Sequence, residues 1–318
     1  MMRMSERQFV EFLRSEAKPR TGKAATGFSK ELSLREGIGD DCAVIGWTRK
    51  NDLLITTDML LEDIHFRRDW QTAKSAGYKA LARGLSDIAA MGGTPRLAFL
   101  SLALSKETRG KWAKEFVRGF LALAKTTGVQ LAGGDTGASP GGVFADVMVI
   151  GEAPRGKAIL RSGARAGDEI WVTGKLGGAA ATLNRLRRGK AAQFYPAPRL
   201  EIGRMLRERG LASAMIDLSD GLSIDLARLC ERSGVGAVLV EEKIPRAAGA
   251  SLQNALHGGE DLELLFTVAA RKASQVPRAW GGVALTRIGE IVGGRKIWLE
   301  SGGGESVLPV KGFQHFRD

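Results

Sequence analysis

Four times along this 318-residue chain a short apolar run meets glycine beside an acid: Gly37, Gly39, Asp40 and Asp41; Gly133, Gly134 and Asp135; Asp217, Asp220 and Gly221; Gly258, Gly259, Glu260 and Asp261. Glycine lets the backbone turn where residues with side chains resist, so each site is expected to be a turn presenting carboxylates. The first is the most informative. In GIGDDCAV, residues 37–44, the apolar residues 42–45 read as a strand leaving the turn. Residues 53–55 read as the strand that returns, ending at Thr56, Thr57 and Asp58. The turn is expected to expose both carboxylates, gathering acids and hydroxyls at one end of a sheet. Two carboxylates about 4 Å apart repel by roughly 4 kcal/mol at an effective dielectric near 20, so an ionised cluster needs cations beside it. Oxygen-only ligands of this kind suit Mg²⁺. One Asp-Asp pair by itself would equally serve an Asx-turn; the recurrence favours chemistry.

The intervening patterns alternate strands with helices and describe an α/β (α+β) chain. Tyr78, Leu81, Leu85 and Ile88 recur at helical spacing and predict a helix over residues 72–91, stopped by Gly92 and Gly93. Asp87 lies off that stripe, four residues after Arg83, the spacing of an exposed ion pair. Residues 97–104 predict a buried strand, 108–127 a helix closed by Gly128, 129–132 a strand, and 143–150 another. The Gly, Pro and basic residues of 152–167 suggest a boundary between domains 1–151 and 152–318. Beyond it, strands are expected at 169–173 and 262–268 and helices at 179–188, 199–209 and 223–232. Residues 21–35 read as a polar loop just before the first acidic turn.

Composition narrows the function classes. Two cysteines far apart suggest neither a disulfide framework nor a zinc site. No stretch nears the roughly 20 apolar residues that span a bilayer, so a cytoplasmic protein with no membrane partner is expected. The net charge of +12 raises nucleic acid as a partner. Its densest segments, residues 185–190 and 204–209, fall at expected helix ends, where the dipole favours cations, and no nucleic-acid-binding motif accompanies them. Acidic turns in a basic chain are instead compatible with a polyphosphate bridged by Mg²⁺. The P-loop, the protein-kinase signatures and GxGxxG are all missing.

GIGDDCAV, TTDMLLEDIHF, YKALARGLSDIAAMGG, LAGGDT, LRSGARAGD, IDLSDGLSIDL, GGEDLELLFT and KGFQHF, in this order between residues 37 and 316, resemble the thiamine-monophosphate kinase family of the aminoimidazole ribonucleotide synthetase-like superfamily. The resemblance implies two α/β domains with mixed sheets flanked by helices, N-terminal domains paired in a homodimer, and ATP-dependent phosphorylation of thiamine monophosphate to thiamine diphosphate by in-line transfer with Mg²⁺. By motif it implies metal ligation by Asp41, Thr56, Thr57, Asp58, Asp87, Asp135 and Asp220, with Asp40 and Asp225 beside them; Asp41, Asp58, Asp87 and Asp220 would be the catalytic acids. Gly134, Asp135, Arg161 and Leu222 would lie around ATP, and His65, Glu260 and Phe313 around the thiamine phosphate. Leu262 stands where the family often has an aromatic. Another ATP-using member of the superfamily with a different acceptor, or a basic nucleic-acid-binding protein that is no enzyme, is the alternative.

Overall fold

The structure, a computed structural model, describes residues 6–16 and 33–316; most of the expected loop at 21–35 lies outside them. After helix α1 (Glu6–Glu16) come strands β1 (Ser33–Glu36), β2 (Ala43–Gly46) and β3 (Asn51–Leu61), helix α2 (Ala73–Ala90), strand β4 (Thr94–Leu104), helix α3 (Lys111–Thr127), and strands β5 (Gln130–Ala138) and β6 (Phe144–Pro154). The second half runs through β7 (Asp168–Thr173), α4 (Gly178–Arg187), α5 (Leu200–Glu208), β8 (Ala212–Asp217), α6 (Leu222–Ser233), β9 (Gly236–Val240), α7 (Leu252–His257), β10 (Leu264–Ala269), β11 (Ala279–Trp280), β12 (Val283–Val292), β13 (Ile297–Ser301) and β14 (Gly304–Val307). The first sheet has the order β1-β2-β3-β6-β4-β5, with only β4 and β5 parallel. The second has the order β14-β13-β9-β12-β7-β10-β8, with β11 on β12 and β13 parallel to β9.

Alternation along the strands decides what each sheet face meets. In β3, Leu54, Thr56 and Leu60 are buried beneath α2, while Thr57 and Met59 point to the other face and are exposed. In β10, Leu265 packs with the α6 side of the second sheet, and Leu264 and Phe266 pack with Ile202, Met205 and Leu206 of α5. Ala89 and Ala90 of α2 join that latter cluster, so α2 belongs to both halves of the molecule. The burial of α2 on nearly every side follows. Its start is capped by Thr72, whose side chain accepts from the Ser75 N–H at 3.1 Å. Its crossing with α3 brings backbones into contact, because a Cβ on Gly119 would sit 1.9 Å from the Lys74 carbonyl oxygen.

One expected strand runs on past its expected end, and one expected turn is strand. β3 continues through Thr56, Thr57 and Asp58 to Leu61, because β6 pairs with it along its whole length, from Asn51 opposite Pro154 to Leu61 opposite Phe144. Gly133 and Gly134 lie inside β5, with Gly134 in register with Leu100 of β4. At φ 148°, and with the Leu100 carbonyl oxygen 1.8 Å from where a Cβ would sit, Gly134 is required by close approach of two strands.

Candidate active site

The site is built outward from α2. Lys79, Arg83 and Asp87 recur every four residues and so share one stripe of the helix, aimed between the two sheets. At the C-terminal end of that stripe, carboxylate oxygens of Asp87, Asp41 from the first acidic turn and Asp217 from the end of β8 lie within 4.8 Å of one another. Asp87 accepts from Thr56 Oγ1 at 2.5 Å and Asp217 from Ser86 Oγ at 2.7 Å. Burial, then the neighbouring carboxylates, push Asp87 and Asp217 well above the ordinary carboxylate range. Three buried or half-buried acids with oxygen donors and surplus negative charge fit a hard divalent cation.

The exposed carboxylates expected in the first turn are not found. Asp41 is buried, and its side chain meets Arg161, with Nη2 at 2.8 Å and Nε at 3.1 Å. The Asp40 carboxylate is buried as well, though the residue is half-buried: it accepts from the Arg161 backbone N–H at 2.9 Å, and its other oxygen, 3.7 Å from Arg232 Nη2, has no hydrogen-bond partner among the described residues. Burial pushes the Asp40 carboxyl up to about 6. The chain segment after β6, carrying Arg161, closes over the turn, an event distant in sequence.

The other expected ligands divide. Asp58 lies on the same sheet face as Thr56 but is held by Arg83, which places Nη2 2.7 Å from Oδ1; the expected exposed pair of Arg83 with Asp87 is therefore replaced by this one. Asp220 is held by Arg228 at 2.6 Å. Asp225 is spent on the same arginine at 2.7 Å and on the N–H groups of Asp220 and Gly221, both at 3.0 Å, so it shapes the turn that presents Asp220. Thr57 and Asp135 are exposed and stand away from the three-acid cluster, with Asp135 on β5 in register with Ser101. Leu222 is buried in the core of the second sheet and offers only its backbone.

One helical turn back along α2, Arg83 and Lys79 enter the wall of a cavity of about 540 Å³ between the two halves. His65, Glu260 and Phe313, expected together around the substrate, all line it, with Ser219, Asp220 and Phe194. Glu260 meets Lys79 Nζ at 2.6 Å and is presented at φ 69° by a loop whose Asp261 accepts from the Ala179 N–H at 3.0 Å. The His65 Nδ1 accepts from the Leu61 N–H at 3.0 Å, so its proton sits on Nε2, which is buried with no hydrogen-bond partner among the described residues. Burial, then Arg83 and Lys79, lower the imidazole to about 3. Phe313 is fixed by its N–H on the Asp220 carbonyl at 3.0 Å, and its ring lies 5.9 Å from that of His65. Leu262 lies outside this wall, buried in the core of the first sheet. A shallower hollow of about 530 Å³, lined by Leu102, Val117 and Thr136 with Arg109 and Lys114, opens between the first sheet and α3.

Two residues of the cleft have no expected role: Asp217, which the motifs place only beside a turn, and Lys79. The signal for both was present: Asp217 ends an apolar strand and Lys79 stands four residues before Arg83 on the same helix face.

Two sheets with an acid-rich cleft between them define a class of protein, and both parts match models of it: the AIR synthase related protein N-terminal domain over residues 39–153 and the corresponding C-terminal domain over residues 165–300. The chain belongs to the AIR synthase related family, as a member of its thiamine-monophosphate kinase branch. It is 37% identical over 300 residues to thiamine-monophosphate kinase of Rhodopirellula baltica, covering 88% of this chain and 90% of that one. With the Salmonella typhimurium thiamine-monophosphate kinase it shares 40% identity over 286 residues, 83% of this chain and 86% of the other. The solved complex of AaThiL with AMPPCP and TMP superposes with a TM-score of 0.83 at 29% identity, covering 99% of both chains. No helix among the described residues is long and apolar enough to cross a membrane.

Proposed function

We infer that this chain transfers the γ-phosphoryl group of ATP to thiamine monophosphate, yielding thiamine diphosphate. The observation that carries the reading is the placement of a three-acid cluster one helical turn from a cavity walled by His65, Glu260 and Phe313. The kinase relatives, and the AaThiL complex with an ATP analogue and TMP, support it.

Asp41, Asp87 and Asp217 would hold Mg²⁺, with Thr56, Asp58, Asp135 and Asp220 as further ligands around the nucleotide; the Thr57 side chain, on the opposite face of β3, would not reach it. Bound there, Mg²⁺ neutralises phosphate charge and polarises the phosphoryl oxygens. The rest falls to the chain's own groups. His65 and Phe313 pack the heterocycles of the substrate, the aromatic face suiting a thiazolium cation. Gly134, Asp135, Arg161 and the Leu222 backbone border ATP, and the hollow beside Thr136 suits its base. The acceptor phosphate oxygen is ionised at neutral pH, so in-line transfer needs alignment rather than a general base. The chain works as two domains, residues 1–151 and 152–318, in the cytoplasm. It pairs as a homodimer through the open face of the first sheet, where Met59 is 48% and Phe144 38% exposed.

Purified protein incubated with ATP, Mg²⁺ and thiamine monophosphate should form thiamine diphosphate only when all three are present. ATP turnover with a different acceptor would move the chain to another activity of the superfamily. Steeply salt-dependent binding of arbitrary RNA or DNA without turnover would replace the kinase reading with a non-enzyme one.

A further inference from the structure

The acids of the cleft are not equally compensated. Among the described residues, Asp87 and Asp217 receive side-chain hydrogen bonds only from hydroxyl groups, those of Thr56 and Ser86. Asp58 instead receives Nη2 of Arg83 at 2.7 Å and Nε at 3.0 Å, both on Oδ1. The guanidinium is 15% exposed, and its remaining nitrogen faces Glu260 at 3.5 Å, a distance longer than a well-made hydrogen bond. Lys79 holds Glu260 at 2.6 Å from the other side, so Lys79, Arg83, Asp58 and Glu260 form a network of zero net charge. A divalent cation placed among Asp41, Asp87 and Asp217 relieves repulsion between acids of which, among the described residues, Asp41 alone is paired with a cation, Arg161 at 2.8 Å, leaving two carboxylates free to receive the ion. One placed at Asp58 must first displace a guanidinium, and a cation approaching Arg83 unescorted is repelled by it.

Building on the metal-dependent reading above, we propose that Arg83 is a resident cation of the reaction centre: it keeps Asp58 closed to divalent cations in the free protein and yields it, turning toward Glu260 and the cavity, when the nucleotide brings its own. Arg83 is thus a positioning residue that orders loading, with the three-acid cluster filled first and Asp58 only with nucleotide.

Mn²⁺ binding to the full chain, followed by the electron paramagnetic resonance of free Mn²⁺ with and without AMPPCP, tests this. Without nucleotide, Arg83→Gln should bind one more Mn²⁺ than wild type, or bind its second ion at least tenfold tighter. Arg83→Lys should behave as wild type, and the Arg83→Gln/Asp58→Asn double variant should lose the gain. Asp58→Asn alone covers the case in which Arg83→Gln does not fold: it should leave nucleotide-free binding unchanged and weaken binding at least tenfold with AMPPCP. Unchanged binding in a folded Arg83→Gln, a gain that survives in the double variant, or a nucleotide-free loss in Asp58→Asn would each overturn the role of Arg83 alone. Absence of Mn²⁺ binding to wild type even with AMPPCP would overturn the metal reading and this inference with it.

Discussion

Replacing Asp217 by Asn should stabilise the metal-free protein and destabilise the metal-bound one. Asp217 is 2% exposed, and the amide oxygen can keep the bond from Ser86 Oγ, so volume and hydrogen bonding are preserved. What changes is charge. With ligand oxygens within 4.8 Å, each pair of ionised acids repels by about 3.5 kcal/mol at an effective dielectric near 20. Because burial and Asp41 raise the Asp217 pKa, protonation already relieves part of this, and a gain of about 1–3 kcal/mol remains for the variant in chelator. For a chain of this size that is about 1.5–4.5 °C in Tm. A cation at 100 times its Kd stabilises the wild type by about 2.7 kcal/mol, and the variant forfeits most of that. Calorimetry in EDTA and in Mg²⁺ should therefore show the two melting orders inverted. The advantage in EDTA should also depend on pH. A raised folded pKa makes ionisation costly, so the gap should close near pH 4, about the pKa of an unfolded Asp, and open as pH rises. A variant that melts below wild type in EDTA and gains as much as wild type from Mg²⁺ would refute the cage.

His65 carries a second pH signature. Its folded pKa of about 3 lies below the ordinary 6.5, so only the unfolded chain takes up the proton between those values and stability falls as pH falls. From pH 7 to 5 the loss is about 2 kcal/mol, and urea unfolding of His65→Gln at the two pH values should show it removed; an equal loss in the variant would contradict the neutral, Nε2-protonated assignment. Gly119→Ala should cost about 1–3 kcal/mol by forcing α2 and α3 apart while leaving Mg²⁺ stabilisation intact, as thermal melts with and without the ion would reveal. If the chain pairs through the open face of the first sheet as proposed, Met148→Glu, on the face of β6 turned away from α2, should lower the mass in light scattering to that of a folded monomer; a wild type already of monomer mass, or a variant of unchanged dimer mass, would refute pairing through that face.

Much of the scaffold is legible in the chain because its signals are local. The stripe of Tyr78, Leu81, Leu85 and Ile88 places α2, which runs Ala73–Ala90 between a Thr72 cap and Gly92, and the Gly128 stop of α3 is equally plain. The strand through Thr56 and Asp58 is read short because its length depends on β6, some 90 residues later, which supplies the hydrogen bonds. Gly133 and Gly134 look like a turn for a similar reason: what demands glycine there is the backbone of β4, not a reversal of the chain.

The residue types by themselves pointed to carboxylates, glycines and aromatics as candidates for the chemistry, and the motifs named His65, Glu260 and Phe313 together, residues that line one cavity in the structure. Only tertiary structure decided which acids act together. Asp41, Asp87 and Asp217 come from a loop, a helix and a strand end more than 40 residues apart, and whether each faces an arginine or another carboxylate is set by packing across the cleft. Charge pairing at a few ångströms is a property of the closed molecule, and no local pattern encodes it.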